Sequence, residues 1–315
     1  MIVTLTPSPS LDLEYEITEL SPGALHRANY SSIRAGGKGL NVARVLTQMG
    51  VDAVAIVPLE EISSETFVSS AERDGINLEI VPVDGPLRFN TTLLHEGKTT
   101  KVNGAARPWS AKEARRISEE FISYAKRSEF AVIGGTLPPS TAPGWITELI
   151  IEAGSKTRVV VDSSGATLRE AISAKPFLIK PNKDEAEELL GSQIRDVLDG
   201  AEAAREMMAM GTQSVLLSLG AMGSIFADAK QTFLAKPAEL KVQNTVGAGD
   251  ALLAGFLGEY ESGAQQALAS ATAWAEATIT NQNLHLNISV HESVVSRIIS
   301  EKRIVALPNA EESRV

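Results

Sequence analysis

Several short segments of this chain combine glycine, a cation and a carboxylate or amide at spacings that suit phosphoryl chemistry. Asn244-Thr245-Val246-Gly247-Ala248-Gly249-Asp250 runs into Ala251-Leu252-Leu253-Ala254, an apolar helix former. Small residues ahead of a helix let backbone N–H groups converge, and a helix N-terminus carries about half a positive charge. Gly247, Ala248 and Gly249 can therefore cradle an anionic oxygen. Asp250, in the first turn, can accept the proton of an attacking hydroxyl. A purely structural reading stands beside this one: a favourable acid in a first turn, with glycines to make the turn. The segment is not a Rossmann fingerprint, because position 252 is Leu, and no Walker A loop occurs anywhere in the chain.

Ala35-Gly36-Gly37-Lys38-Gly39-Leu40-Asn41 opens a second helix. Its glycines allow backbone to approach a ligand closely, and Lys38 and Asn41 would present a cation and an amide at the helix mouth. A tight strand-to-helix turn with a solvated lysine fits equally well. Lys180-Pro181-Asn182-Lys183-Asp184-Glu185 follows an apolar run. Asn182 and Glu185 have N-cap and N3 spacing, which predicts a capping box. At the carboxyl edge of a sheet the same pair can organise hydrated Mg2+ beside a nucleotide. Asp12, Arg27 and Arg88 lie in segments that read as exposed strands, where they are either solvated or, for the arginines, partners of a sugar phosphate. Gly134-Gly135-Thr136-Leu137-Pro138-Pro139 and Ser218-Leu219-Gly220-Ala221-Met222-Gly223 each end a strand in a turn. Trp109, Trp145 and Trp274 have no spacing that suggests a stacking platform.

Elements that alternate must position these residues. Apolar runs at Ile2–Leu5, Val54–Val57, Ala131–Ile133, Arg158–Val161, Phe177–Ile179 and Val215–Leu219 read as strands buried on both faces. Helical periodicity separates most of them, over Val42–Met49, Ala111–Lys126 and Ala201–Met210. That alternation predicts right-handed βαβ crossovers and a doubly wound α/β layer with a mostly parallel sheet. Leu11–Ile17 instead alternates apolar and polar residues, and Ala28–Ile33 is its candidate partner. Arg88–Leu94 and Thr99–Val102 flank Glu96-Gly97, a hairpin signal. These pieces predict a small antiparallel sheet outside the main layer. After Asp250 the chain reads as helices over Asp250–Glu261, Gln265–Asn281 and His291–Glu301, then a polar tail from Pro308. No repeat or linker divides the 315 residues, so a single domain over 1–315 is expected.

Composition narrows the function classes. The formal net charge is -10 and there is no cysteine. Thiol chemistry and a cysteine zinc site are excluded, and His26, His95, His285 and His291 are too scattered for an all-histidine site. The acidic balance argues against a nucleic-acid partner but leaves room for a small phosphorylated ligand. No apolar run approaches the roughly 20 residues of a membrane span, and no export signal is evident, so a soluble cytoplasmic protein is expected.

In this order, the segments resemble the ribokinase-like (PfkB) sugar kinases over nearly the whole chain. The carrying pieces are Pro9-Ser10-Leu11-Asp12, Gly36-Gly37-Lys38-Gly39-Leu40-Asn41, Gly135-Thr136-Leu137-Pro138-Pro139, Val161-Asp162-Ser163-Ser164-Gly165, Lys180-Pro181-Asn182 with Glu185, Ser218-Leu219-Gly220 and Asn244–Asp250. Their form is most similar to the phosphofructokinase and tagatose-phosphate kinase branch. The resemblance implies a three-layer α/β/α domain with a β-sheet lid, at about 10–34 and 88–104. It implies ATP-dependent transfer to a ketohexose phosphate hydroxyl, fructose 1-phosphate first, then fructose 6-phosphate or tagatose 6-phosphate. A kinase of an unphosphorylated sugar or nucleoside, or a non-catalytic sugar-phosphate-binding regulator, are the alternatives. Asp250 would be the base and Gly247, Ala248 and Gly249 the anion hole. Asp12, Gly37, Lys38, Asn41, Arg88 and, less closely, Arg27 match sugar-contacting positions. Asn182, Ser218, Gly220, Gly223 and Asn281 fall along the nucleotide. Glu185 and Asn182 would meet Mg2+ through water, K+ would sit by the Val246 loop, and a homodimer would form through the lid. The chain departs from the family at Pro58-Leu59-Glu60-Glu61, usually glycine-rich, and at Gly134, often Ser.

Overall fold

A computed structural model describes residues 1–60, 64–139, 141–154, 156–240, 245–280 and 288–308, the first six of the last stretch by backbone alone. In chain order the elements are β1 (Ile2–Leu5), β2 (Ser10–Glu16), β3 (Tyr30–Gly36), α1 (Lys38–Gln48), β4 (Ala53–Leu59), α2 (Glu65–Arg73), β5 (Asn77–Pro82), β6 (Arg88–His95) and β7 (Lys98–Asn103). There follow α3 (Ala111–Ala125), β8 (Phe130–Gly134), α4 (Trp145–Ala153), β9 (Arg158–Asp162), α5 (Gly165–Ser173), β10 (Leu178–Ile179), α6 (Lys183–Leu190), α7 (Val197–Met210) and β11 (Ser214–Ser218). The last are β12 (Ser224–Asp228), β13 (Thr232–Ala235), α8 (Ala248–Gly258), α9 (Ala264–Thr280), α10 (Ile288–Ser300) and β14 (Ile304–Ala306).

A ten-stranded sheet runs β14-β13-β12-β11-β10-β9-β8-β1-β4-β5. It is parallel from β5 to β11 and antiparallel across β12, β13 and β14. Successive strand residues feed opposite faces, which is why these strands are apolar without alternation. Ala131, Ile133, Val159 and Val161 join the core under α3, α4, α5 and α7, with Phe121, Leu149, Ile172 and Met207. Phe130, Val132 and Val160 join the other face under α1, α8 and α9, with Leu46, Phe256 and Trp274. Helices on both faces make the expected three-layer α/β/α fold.

The second sheet has four strands, in the order β3-β2-β6-β7. The predicted strand pairs β2–β3 and β6–β7 are antiparallel, but β2 and β6 run parallel, so the sheet is mixed rather than antiparallel. The physical reason is that each hairpin leaves the main sheet and returns to it separately, so β2 and β6 enter from the same end. The β6–β7 turn has both central residues in the left-handed region, Glu96 at φ 49° and Gly97 at φ 71°, as a tight hairpin requires. Arg27 lies in the exposed connection before β3, not in a strand as expected.

A candidate active site at the carboxyl edge of the main sheet

Four charged side chains converge where β9 and β10 end and α1 and α8 begin. Asp162, the last residue of β9, is fully buried. Lys38 Nζ, from the first residue of α1, donates to its Oδ1 at 2.7 Å, and Lys180 Nζ, just after β10, lies 3.1 Å from its Oδ2. Burial alone would raise the Asp162 carboxyl; Lys180 and Lys38 overturn that and hold it below the ordinary carboxylate range. Burial works the other way on Lys38, and Asp162 and then Glu185 outweigh it, holding the ammonium firmly protonated.

Asp250 is the third residue of α8 and is 8% exposed. Burial pushes its carboxyl up to about 6 and the Asp162 charge adds to the rise, against the Asn41 hydrogen bond and the two lysines. Asn41 Nδ2 donates to Asp250 Oδ2 at 2.7 Å. Gly247 caps α8 in the left-handed region at φ 79°. Ala248 N–H is turned to Thr245 O at 3.3 Å, while the N–H groups of Gly249 and Asp250 are among those a helix start leaves without an intrahelical acceptor. A Cβ on Gly249 would stand 3.1 Å from Lys180 Nζ, so an ammonium lies against the first turn of α8. A helix N-terminus, two ammonium groups and a carboxylate held near neutrality thus share one pocket edge. That arrangement can neutralise a phosphoryl group and take up a proton beside it.

The nucleotide-side residues are placed by β10, β11 and α6. Asn182 and Glu185 form the predicted capping box, with Asn182 N–H donating to Glu185 Oε2 and Glu185 N–H to Asn182 Oδ1, each at 2.9 Å. Asn182 bridges to Ser218 at the end of β11. Gly220 and Gly223 flank the single turn after β11, and Gly223 is required by packing, since a Cβ there would fall 2.2 Å from Ala235 O. Asn281 and Asn244 lie outside the described residues. Glu185 Oε1 is 3.7 Å from Lys38 Nζ and is not used by the capping box, which leaves a hard oxygen for a hydrated Mg2+. Among the described residues no group of acids and histidines forms a direct cage for a metal, so the donor set fits contact through water.

The small sheet supplies the other wall. Asp12 Oδ1 accepts from Ser10 Oγ at 2.7 Å and from Asn90 Nδ2 at 2.9 Å. The Asp12 carboxylate occupies the space beside Gly36, where a Cβ would meet Oδ2 at 2.1 Å. Gly37 sits at φ 130° with Thr6 Cγ2 2.3 Å from a Cβ position, so only glycine fits the start of α1. Arg88 is committed to backbone: its Nη2 donates to Ser8 O at 2.8 Å, Nη1 to Gly104 O at 3.3 Å and Nε to Pro9 O at 3.4 Å. Glu60 lines a cavity of about 30 Å³ with Arg88 and Arg107, and Glu61 is outside the described residues. At Gly134 a Cβ would come within 2.7 Å of Gly39 N, which explains why this chain carries no serine there.

Asp250, Lys38, Asn41, Asn182 and Glu185 therefore come together, with Asp12 and Gly37 beside them, while Arg27 does not join by any hydrogen bond or ion pair among the described residues. Sequence reasoning gave no role to Asp162 or Lys180, although both stand in the segments it quoted. The signal was there in a charged residue at each of two apolar strand ends. Asn90 and Arg44 were missed altogether.

A family model described as pfkB family carbohydrate kinase matches residues 10–289 of the chain. A 1-phosphofructokinase of Vibrio cholerae is 30% identical over 260 residues, covering 81% of each chain. A tagatose-6-phosphate kinase of Staphylococcus epidermidis is 29% identical, covering 81% of this chain and 84% of its own. Phosphofructokinase-2 from Escherichia coli, solved with substrates and products, superposes with a TM-score of 0.87 at 26% identity, over 95% of this chain and 99% of the other. That enzyme has also been solved with potassium and as a tetrameric inhibited form.

Proposed function

The chain belongs to the pfkB family of carbohydrate kinases, and we propose that within it the chain phosphorylates a ketohexose phosphate, with fructose 1-phosphate as acceptor and fructose 1,6-bisphosphate as product. Tagatose 6-phosphate is the second reading, favoured by the tagatose-6-phosphate kinase among the relatives. The observation that carries the reaction type is Asp250, buried against the N-terminus of α8 and pushed up to about 6. A base works best when its pKa lies near the working pH. Asp250 takes the proton of the acceptor hydroxyl as that oxygen bonds to the γ-phosphorus of ATP and the bond to the β-phosphate oxygen breaks. ADP carries away the electron pair.

Gly249 and Asp250 N–H groups, with Lys38 and Lys180, meet the charge that builds on the transferring group. Asn182 and Glu185 would hold Mg2+ through water, and the ion supplies charge neutralisation along the nucleotide phosphates. Ser218 and Gly220 line the path we assign to the nucleotide. Asp12, Gly37 and Asn41 face the sugar from the small sheet and α1. Arg88 reaches a substrate phosphate in this reading by giving up its contacts with Gly104 O and Pro9 O, the two longer ones of its present cradle.

In this reading residues of about 10–34 and 88–104 act as a lid. Its outer face carries Ile33, Phe89 and Val102, all exposed, which supports pairing of two lids in a homodimer. No helix among the described residues is long and apolar enough to cross a membrane, and we place the reaction in the cytoplasm, where ATP is supplied. ADP release with Mg-ATP against fructose 1-phosphate, fructose 6-phosphate, tagatose 6-phosphate, fructose and ribose tests the reading, with and without K+. Turnover should be highest with fructose 1-phosphate. Turnover with unphosphorylated acceptors alone would refute a sugar-phosphate kinase.

A further inference from the structure

The two ends of the Asn41 amide lead to different places. Nδ2 donates to Asp250 Oδ2 at 2.7 Å, and Oδ1 accepts from Arg44 Nη1 one turn further along α1. An amide turned over keeps its shape but would set oxygen against the Asp250 carboxylate. Arg44 decides between the two orientations. A guanidinium has donors only, so the amide end that faces it must be the oxygen, which leaves the NH2 for Asp250. Arg44 itself is 3% exposed and held on every side. Its Nη2 donates to Ala35 O at 2.5 Å and its Nε to Asp74 Oδ2 at 2.7 Å. Asp74 also accepts from Arg34 Nη2 at 3.2 Å, so the same carboxylate grips β3.

We propose that Arg44 is a positioning residue for phosphoryl transfer: through Asn41 it keeps a donor on Asp250 Oδ2, and it ties that donor to β3 at the root of the small sheet. The inference rests on the kinase reading above. A donor on the carboxylate favours the ionised form, which is the form that accepts a proton. The charged groups that face Asp250 are Asp162 from the end of β9, Lys180 after β10 and Lys38 from α1. All three remain when Arg44 is replaced, so they are common to every variant, as are the titrations of the substrates.

The test is the pH profile of kcat/KM for the acceptor in Arg44→Met, Arg44→Lys, Asn41→Ala and the Asn41→Ala/Arg44→Met double variant. Arg44→Met should lose about tenfold or more in kcat/KM and move the acid limb up by about one pH unit, with KM for ATP within about twofold. Arg44→Lys, still a donor without an acceptor, should keep the limb in place and stay within about threefold. In the Asn41→Ala background Arg44→Met should add less than about twofold, because its path to Asp250 is already cut. An unmoved limb in Arg44→Met, or full additivity with Asn41→Ala, would overturn the role. If Arg44→Met does not fold, Arg44→Leu, likewise without a donor, takes its place in the cycle under the same criteria. Inactivity of the unsubstituted enzyme with every acceptor would instead overturn the kinase reading, so the two failures are distinct.

Discussion

Strand β9 is five residues long and has a charged residue at each end, and each is the hub of a different kind of cluster. At the amino end, Arg158 Nη1 meets Glu129 Oε1 at 2.8 Å and Glu261 Oε1 at 2.6 Å, and the guanidinium lies over Phe130, Phe177 and Tyr260. Its side chain is 36% exposed, and Nη1 serves both carboxylates. At the carboxyl end, Asp162 is wholly buried between two ammonium groups, with a second carboxyl, Asp250, close enough to feel its charge. The first cluster is closed and screened by water. In the second, Asp162, Lys180 and Asp250 are buried while the Lys38 side chain stays partly exposed, and protonation of Asp250 changes its charge balance. An ion cluster becomes chemical when burial leaves one member undecided between charged and neutral.

Replacing Asp250 should show the largest effect. Asp250→Ala should lower kcat by about 10³-fold while ATP still binds, measured by steady-state kinetics and nucleotide titration. The same residue should be a liability to stability. Its folded value of about 6 lies above the usual 3.8, so the folded chain holds the proton more tightly. Its contribution is whole below about 3.8 and is lost as pH rises through about 6, a difference on the order of 3 kcal/mol. Asp250→Asn should therefore gain stability over the native chain at pH 8 and little or none near pH 4, read by urea unfolding. A gain that is equal at both pH values would remove the contrast between the two clusters.

Asp162→Asn comes next. It strands the buried Lys180 ammonium and takes a partner from the partly exposed Lys38, and should cost about 3 kcal/mol in unfolding free energy. It also removes the like charge that raises Asp250, so the acid limb of kcat/KM should move to lower pH. A limb that stays in place would mean that burial alone sets Asp250. The smallest effect belongs to the other end of β9. Glu261→Gln should leave the urea midpoint nearly unmoved, since the pair is exposed, and leave kcat unchanged. A loss of activity there would show that the two ends of the strand are coupled.

Much of this was legible along the chain, and what escaped has a common cause. The strands β1, β4, β8, β9 and β11 stood out because burial on both faces writes an apolar run. β12 and β13 did not, because short turns rather than helices join β11, β12 and β13, so the strand–helix alternation is missing there, and β14 is three residues long. Helix α1 starts at Lys38, ahead of the Val42–Met49 stripe, because its first turn belongs to the glycine loop and gives the core a single large apolar side chain, Leu40. Helix α8 likewise begins at Ala248, before Asp250. Asp250, Lys38 and the Asn182–Glu185 pair were legible from local pattern. Asp162 was not, since its partner Lys38 is 124 positions away. Arg88 was legible as a cation in a strand of the small sheet, but its backbone acceptors at Ser8 and Gly104 are set by tertiary approach, which no local pattern encodes.

The position of β1 carries a consequence for how the chain assembles. It is made before both of its hydrogen-bonding neighbours, β4 on one edge and β8 on the other. The second of these ends at Gly134, so the middle of the sheet cannot close until the chain through Gly134 has left the ribosome. Until then Ile2, Val3 and Leu5, destined to be buried, have a neighbouring strand on one side at most. The small sheet is delayed in the same way, because β2 must wait for β6. Such non-local pairing puts the loop-closure cost early and its reward late, which makes for slow folding and gives a nascent-chain chaperone an apolar strand to hold.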